Sequence, residues 1–299
     1  MEDLLTEAIN PNTENIDEKN IEEILRIINE EDKKVAYAVE KEIPKIAKVV
    51  DEIVKRIERG GRVFYVGAGT SGRLGVLDAS EIPPTYGMNP EVFQGIIAGG
   101  DWALRFSVEG IEDNYEQGRK DLEEKYIKAE DVVIGIAASG RTPYVISALE
   151  YAKSKGSFTV SIVCNEDTPM EKIADITIKL LVGPEVISGS TRMKAGTAQK
   201  MVLNMISTTT MIKLGKVYNN LMVDVQILNK KLKERAKRIL RITCNLSDEE
   251  AEEFLKRAKG NTKLAIVMAK TGLDYETSKK YLDKNKGKVK ETLREISKE

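Results

Sequence analysis

Three stretches of this chain gather glycines, hydroxyls and cations at spacings that suit an anion. The first is Gly67-Ala68-Gly69-Thr70-Ser71-Gly72, the second Ala138-Ser139-Gly140-Arg141-Thr142, the third Ser188-Gly189-Ser190-Thr191-Arg192-Met193-Lys194. Glycine lets a ligand reach main-chain N–H groups with no Cβ in the way. Hydroxyls donate, and Lys or Arg supplies charge. Two hydroxyl-rich loops and a cationic third fit a phosphate monoester. On this reading Gly69, Thr70, Ser71, Ser139, Gly140 and Thr142 hold the phosphate, and Ser190, Thr191 and Lys194 close its third side. Gly67, Gly69 and Gly72 also match a dinucleotide fingerprint. That fingerprint needs an acidic residue about 20 positions on, at the end of a second strand. Here that position falls near Gly87, in a Pro/Gly-rich loop. Two plainer readings stand beside these: a tight turn with no ligand, and Arg192 and Lys194 paired with surface carboxylates.

The chain has no histidine, so acid–base chemistry must come from Glu, Asp, Lys, Tyr or Cys. No metal and no cofactor is expected. Cys164 and Cys244 form no CxxC pair, and Cys164 sits in an apolar run as a buried thiol, which points to a reduced, cytoplasmic setting. With 47 basic and 48 acidic residues the net charge is −1, which gives no bulk attraction to nucleic acid or an anionic membrane. No apolar run reaches membrane-spanning length, and the first ten residues, MEDLLTEAIN, are acidic rather than signal-like.

The elements that must position these loops can be read from periodicity. Val63–Val66 is an apolar strand leading into the first loop, and a helix from Gly72 should end near Glu81, before Pro83 and Pro84. Further strands are expected at 91–98, 131–137, 158–164 and 176–182, with helices at 101–126, 143–155 and 195–213. Alternating strands and helices predict a doubly wound parallel α/β sheet, with ligands at the carboxyl ends of the strands. Residues 1–20 read as an extended arm with little structure. Amphipathic patterns predict N-terminal helices over 20–30 and 32–58. Beyond residue 240 strand patterns cease, so we expect 1–240 as the sheet domain and 241–299 as a small helical domain of about three helices. Its charges read as a solvated face. Trp102 and Phe106 are expected in the core.

The segments VGAGTSGRLGVLDASEIPPTYG, IAASGRTPYVISALEYA and VGPEVISGSTRMKAGTAQKMVLNM, continuing through Asn220-Leu221-Met222-Val223-Asp224, resemble the N-acetylmuramic acid 6-phosphate etherase family, built on the sugar isomerase (SIS) domain. The resemblance covers nearly the whole chain. It implies cleavage of the lactyl ether of N-acetylmuramate 6-phosphate to N-acetylglucosamine 6-phosphate and D-lactate, by elimination and hydration. It carries the family's acid onto Glu81 in DASE and its base onto Glu112 in EGIED, and it implies a homodimer with the site near the subunit boundary. Either glutamate could instead be an ordinary helix residue, and Glu109 and Asp113 lie close to Glu112. Animal glucokinase regulatory protein shares the domain type without being an enzyme and is about twice as long. A phosphosugar-sensing regulator and an aldose/ketose phosphate isomerase are therefore the alternatives.

Overall fold

The computed structural model describes residues 4–224 and 230–298. Two N-terminal helices, α1 (Ile21–Glu40) and α2 (Ile43–Glu58), precede β1 (Val63–Gly67), α3 (Gly69–Tyr86), β2 (Phe93–Ile97), α4 (Gly100–Arg105), α5 (Tyr115–Glu123), β3 (Val132–Ile136) and α6 (Pro143–Ser154). Then come β4 (Phe158–Val163), α7 (Pro169–Ile173), β5 (Ile176–Lys179), α8 (Lys194–Lys213), a hairpin of β6 (Val217–Tyr218) and β7 (Leu221–Met222), and α9 (Lys230–Cys244). Helices α10 (Asp248–Arg257), α11 (Thr262–Thr271), α12 (Tyr275–Lys284) and α13 (Val289–Ile296) close the chain.

The five main strands pair in parallel in the order β2-β1-β3-β4-β5. The chain leaves β1 for one neighbour and returns for β3 on the other side, so the order reverses between β1 and β3. Crevices for ligands open at such a switch point, outside the carboxyl ends of the strands. Strands β1 and β3 are buried at every residue, which is why they read as unbroken apolar runs rather than alternating ones. Phe64, Val66, Val133, Leu122, Tyr144 and Leu149 form the core on one face.

Several elements depart from their sequence reading, each for a local reason. The expected break between two N-terminal helices falls at 41–42 rather than near 31. Pro44 has no N–H to give and sits in the first turn of α2, while α1 opens on a capping box of Asn20 and Glu23. Helix α3 starts at Gly69 and runs past Pro83 and Pro84 to Tyr86. Gly87, at φ +62°, closes it by donating its N–H to Pro83 O. The single helix expected over 101–126 is broken. Gly110 takes φ +71° and leads into a 3-10 turn at Ile111–Asp113, and Asn114 caps α5. The arm is also more ordered than expected, with 3-10 turns at Pro11–Thr13 and Ile16–Glu18; its residues 1–3 lie outside the described residues.

The chain divides into two compact units, Met1–Glu81 with Pro90–Ser207, and Ile82–Asn89 with Thr208–Glu299. The boundary expected at residue 240 thus falls inside α9, and the second unit holds α9 to α13 around its own core of Leu240, Leu255, Leu264, Val267 and Leu282. Ser247 and Glu250 start α10 with the predicted capping box. Among the described residues no helix is long and apolar enough to cross a membrane.

Candidate active site

A cleft of about 300 Å³ opens at the carboxyl ends of β1 and β3. Its floor is the loop after β1 (Ala68 to Ser71), the end of β2 (Ala98) and the loop after β3 (Ile136 to Ser139, with Thr142). Helices α3 and α6 begin there, and each offers main-chain N–H groups and the positive end of its dipole to an anion. Thr142 is the N-cap of α6, yet its side chain makes no capping hydrogen bond. Its hydroxyl is therefore not spent on the helix. Ser139 Oγ accepts from Arg141 N at 3.2 Å, which leaves its proton to donate. Gly140, in the left-handed region at φ +65°, has Thr168 packed where a Cβ would stand and is not itself a wall of the cleft.

Ser71 is nearly buried, and its hydroxyl is hydrogen-bonded to Gln199 Oε1 at 2.9 Å. Gln199, on α8, is fully buried, and its Nε2 has no partner. Turned over, the amide would donate to Ser71 Oγ and free the serine proton for a phosphate oxygen; the two ends of a glutamine side chain are interchangeable in this way.

The third loop is placed differently from its expectation. Thr191 lines the cleft together with Gly189, whereas Ser190 and Lys194 do not. Lys194 is 1% exposed and its Nζ lies 2.6 Å from Glu31 Oε2. The first N–H groups of α8 are also taken: Glu185, fully buried, accepts from Lys194 N and Ala195 N, each at 2.9 Å. A protein carboxylate already occupies the anion position at this helix start. The cation lining the cleft is Arg73, the fifth residue of α3. Its Nε donates to Leu104 O at 3.1 Å and its guanidinium to Phe106 O at 3.2 Å, holding the segment that carries Glu109 and Glu112.

Glu112 stands on the 3-10 turn and lines the cleft. Among the described residues its carboxylate has no hydrogen-bond or ion-pair partner, whereas Glu109, also on this wall, accepts from Ser107 Oγ at 2.8 Å. Asp113 is exposed and outside the lining. Glu81 is not brought to the cleft of its own chain. It is exposed on α3, and at 1.5 Å per residue it stands about 18 Å along the axis from Gly69. Beneath that part of α3, Asp78 is buried and accepts from Asn204 Nδ2 at 2.7 Å and Ser207 Oγ at 3.1 Å. Burial raises its carboxyl above the ordinary carboxylate range, and the hydrogen bonds from Asn204 and Ser207 oppose the rise.

Two further groups reach the cleft unannounced by the sequence. Thr6 and Glu7, from the arm, form part of its wall. Phe106 lines it as well, and stacks at 4.3 Å on Trp102. These two aromatics are 49% and 66% exposed, not core: the buried position of α4 is Ala103, and Trp102 and the C-cap residue Phe106 lie off that face. Arg73 was legible as a cation one residue past the glycine loop. The arm gives no motif that would have placed it here.

This parallel sheet with a hydroxyl-lined cleft at its switch point is a SIS domain. Residues 45–153 match the glucokinase regulatory protein N-terminal SIS domain model, and residues 105–209 match the SIS domain model. The chain is 53% identical over 298 residues to the N-acetylmuramic acid 6-phosphate etherase of Clostridioides difficile strain 630, covering 100% of this chain and 98% of that one. It is 54% identical over 294 residues to the same-named protein of Caldanaerobacter subterraneus subsp. tengcongensis (98% and 96% covered), and 54% over 290 residues to that of Actinobacillus pleuropneumoniae serotype 5b (97% and 95%). The chain belongs to the N-acetylmuramic acid 6-phosphate etherase family.

Proposed function

We propose that this protein is a carbon–oxygen lyase that cleaves the lactyl ether of N-acetylmuramate 6-phosphate to N-acetylglucosamine 6-phosphate and D-lactate. The observation that carries this is identity above one half with etherases over the full length of both chains. The cleft suits the substrate. The phosphate sits at the starts of α3 and α6, on Ser71, Ser139, Thr142 and main-chain N–H groups around Gly69 and Thr70, with Arg73 as the nearby cation. The sugar opens to its aldehyde, which makes the proton at C2 acidic. Glu112, whose carboxylate has no hydrogen-bond or ion-pair partner among the described residues, takes that proton. Lactate leaves C3 with a proton from Glu81, and water adds back at C3. The chemistry needs one carboxylate ionised and one carboxyl protonated, so the rate should be bell-shaped in pH.

A homodimer and a cytoplasmic setting belong to this reading. What supports the dimer is that Glu81 lies outside its own cleft, while Leu77, one turn earlier on the same face of α3, is 49% exposed. A partner's α3 would then supply the acid. Subunit mixing tests this together with the activity. Glu81→Gln and Glu112→Gln, each nearly inactive, should recover up to about a quarter of wild-type D-lactate release after exchange, because half the dimers would carry one intact site. No recovery despite proven exchange would place both glutamates on one chain. Saturable phosphosugar binding with no lactate from the wild type would point to a regulator.

A further inference from the structure

We infer that Glu7 is the acid–base group that opens the sugar ring before Glu112 acts; the inference rests on the etherase reading above. C2–H elimination needs a carbonyl at C1, and the closed pyranose has none. Someone must therefore move the anomeric proton, and the roles of Glu81 and Glu112 concern C3 and C2. Four side chains of the cleft wall carry a formal charge: Glu7, Arg73, Glu109 and Glu112. Arg73 is a guanidinium with no acceptor site, and it is bonded to two carbonyls. Glu109 is engaged by Ser107. Glu7 is left, and among the described residues its carboxylate has no hydrogen-bond or ion-pair partner.

Its backbone, by contrast, is fixed on both sides. Thr6 N donates to Asn165 Oδ1 at 3.3 Å, Asn165 Nδ2 donates to Thr6 Oγ1 at 3.2 Å, and Gly189 N donates to Thr6 O at 3.1 Å. Ser188 Oγ donates to Glu7 O at 2.7 Å. Asn165 also donates to Ala138 O at 2.9 Å, which ties the arm to the loop that carries Ser139. Gly189, at φ +75°, leaves room for the carboxylate: a Cβ there would stand 2.9 Å from Glu7 Oε2. A carboxylate so placed repels a phosphate dianion. This wall therefore meets the uncharged part of the sugar, and the phosphate keeps to the helix starts.

The step balances on one carboxyl group. Glu7 takes the proton of the O1 hydroxyl, and that O–H electron pair becomes the second bond of C1=O. The C1–O5 bond breaks with its pair on O5, and Glu7 returns the proton to O5, regenerating the carboxylate. Nothing is oxidised or reduced.

The test compares two substrates on the full-length protein. One is ring-closed N-acetylmuramate 6-phosphate. The other is the open-chain 2,3-unsaturated aldehyde left after lactate departs, whose hydration needs no ring opening. With Glu7→Gln, kcat for D-lactate release and exchange of the C2 proton with solvent should fall together by roughly 10²-fold, the lower end of what one acid–base group contributes, with KM little changed. Hydration of the open-chain aldehyde should stay within about threefold of wild type, which also shows that the variant is folded. Glu112→Gln should lose C2 exchange with N-acetylmuramate 6-phosphate and should also slow hydration of the aldehyde, which must take up a proton at C2. Equal losses on both substrates would overturn the inference in favour of a structural role for the arm, and wild-type rates on both would overturn it outright. If the wild type itself released no D-lactate, the etherase reading would fail, a result separate from any behaviour of Glu7.

Discussion

Replacing Lys194 by Met separates a buried structural cation from a phosphate ligand. Glu31 accepts from Lys194 Nζ at 2.6 Å, from Asn10 Nδ2 and Asn12 Nδ2, each at 3.0 Å, and from Lys34 Nζ. Burial pushes the Glu31 carboxyl up, but the hydrogen bonds from Lys194, Lys34 and Asn10 outweigh it, so the group is held down from an ordinary 4.5 to about 2. Each pKa unit corresponds to about 1.4 kcal/mol, so the shift is worth roughly 3 kcal/mol to the folded state at neutral pH. A depressed carboxyl stabilises above its unfolded value and loses that contribution as pH falls. The wild type should therefore lose this stability between about pH 5 and pH 2. Lys194→Met keeps the length of the side chain and removes the charge, leaving a buried carboxylate short of its main partner. Breaking a buried pair this way costs about 3–5 kcal/mol, a fall of about 1 M or more in urea midpoint at pH 7. Without the ammonium, burial dominates at Glu31 and its carboxyl rises, so acidification neutralises it. The gap to wild type should narrow by pH 4 from both sides, and Glu31→Gln should recover part of the loss at pH 7. An unchanged midpoint, with KM raised more than tenfold for phosphosugar alone, would refute the assignment and restore Lys194 as a phosphate ligand.

Three further outcomes follow from the same geometry. Ser139→Ala and Thr142→Ala should each weaken phosphosugar binding by roughly 1.5–3 kcal/mol, as expected for a donor to a charged group, and calorimetry with the unphosphorylated sugar should show a smaller loss. Gln199→Glu would hold the Ser71 proton permanently and add charge beside the phosphate. It should raise KM for phosphosugar by tenfold or more (~1.4 kcal/mol), whereas Gln199→Met should cost less. Gly118→Ala would put a Cβ 1.9 Å from the main-chain oxygen of Tyr144; α5 and α6 would have to move apart, lowering stability by at least about 1–3 kcal/mol in thermal unfolding.

How far the chain could be read in advance varied with the physics of each element. Strands β1 and β3 were legible because burial on both faces leaves an apolar run between turn residues, and the loops after them because hydroxyls and glycines cluster there. The end of α3 was not. Proline removes an N–H and crowds the carbonyl four residues back, so the sequence reads as a stop, yet the helix continues through Pro83 and Pro84 to Tyr86, where Gly87 closes it. The fate of Lys194 was hidden for another reason. A cation beside hydroxyls looks alike in sequence whether it faces a ligand or a carboxylate, and its partner Glu31 lies 163 residues away. The arm was read as unstructured because its order comes from Asn165, Val186 and Ser188, contacts that only the folded chain brings near it. Glu112 was singled out through family resemblance; what composition alone gave was the absence of histidine, which directs acid–base chemistry to carboxyl groups.

The proposed reaction is elimination followed by hydration at C3. Its most direct test is a single incubation of the protein with N-acetylmuramate 6-phosphate in D₂O enriched in ¹⁸O, followed by mass spectrometry of both products. Elimination and hydration should give N-acetylglucosamine 6-phosphate carrying one deuterium at C2 and one ¹⁸O at C3, and D-lactate whose ether oxygen is unlabelled. Lactate labelled with ¹⁸O at that oxygen, with no deuterium at C2 of the sugar, would mean that the bond breaks on the lactyl side and would contradict it.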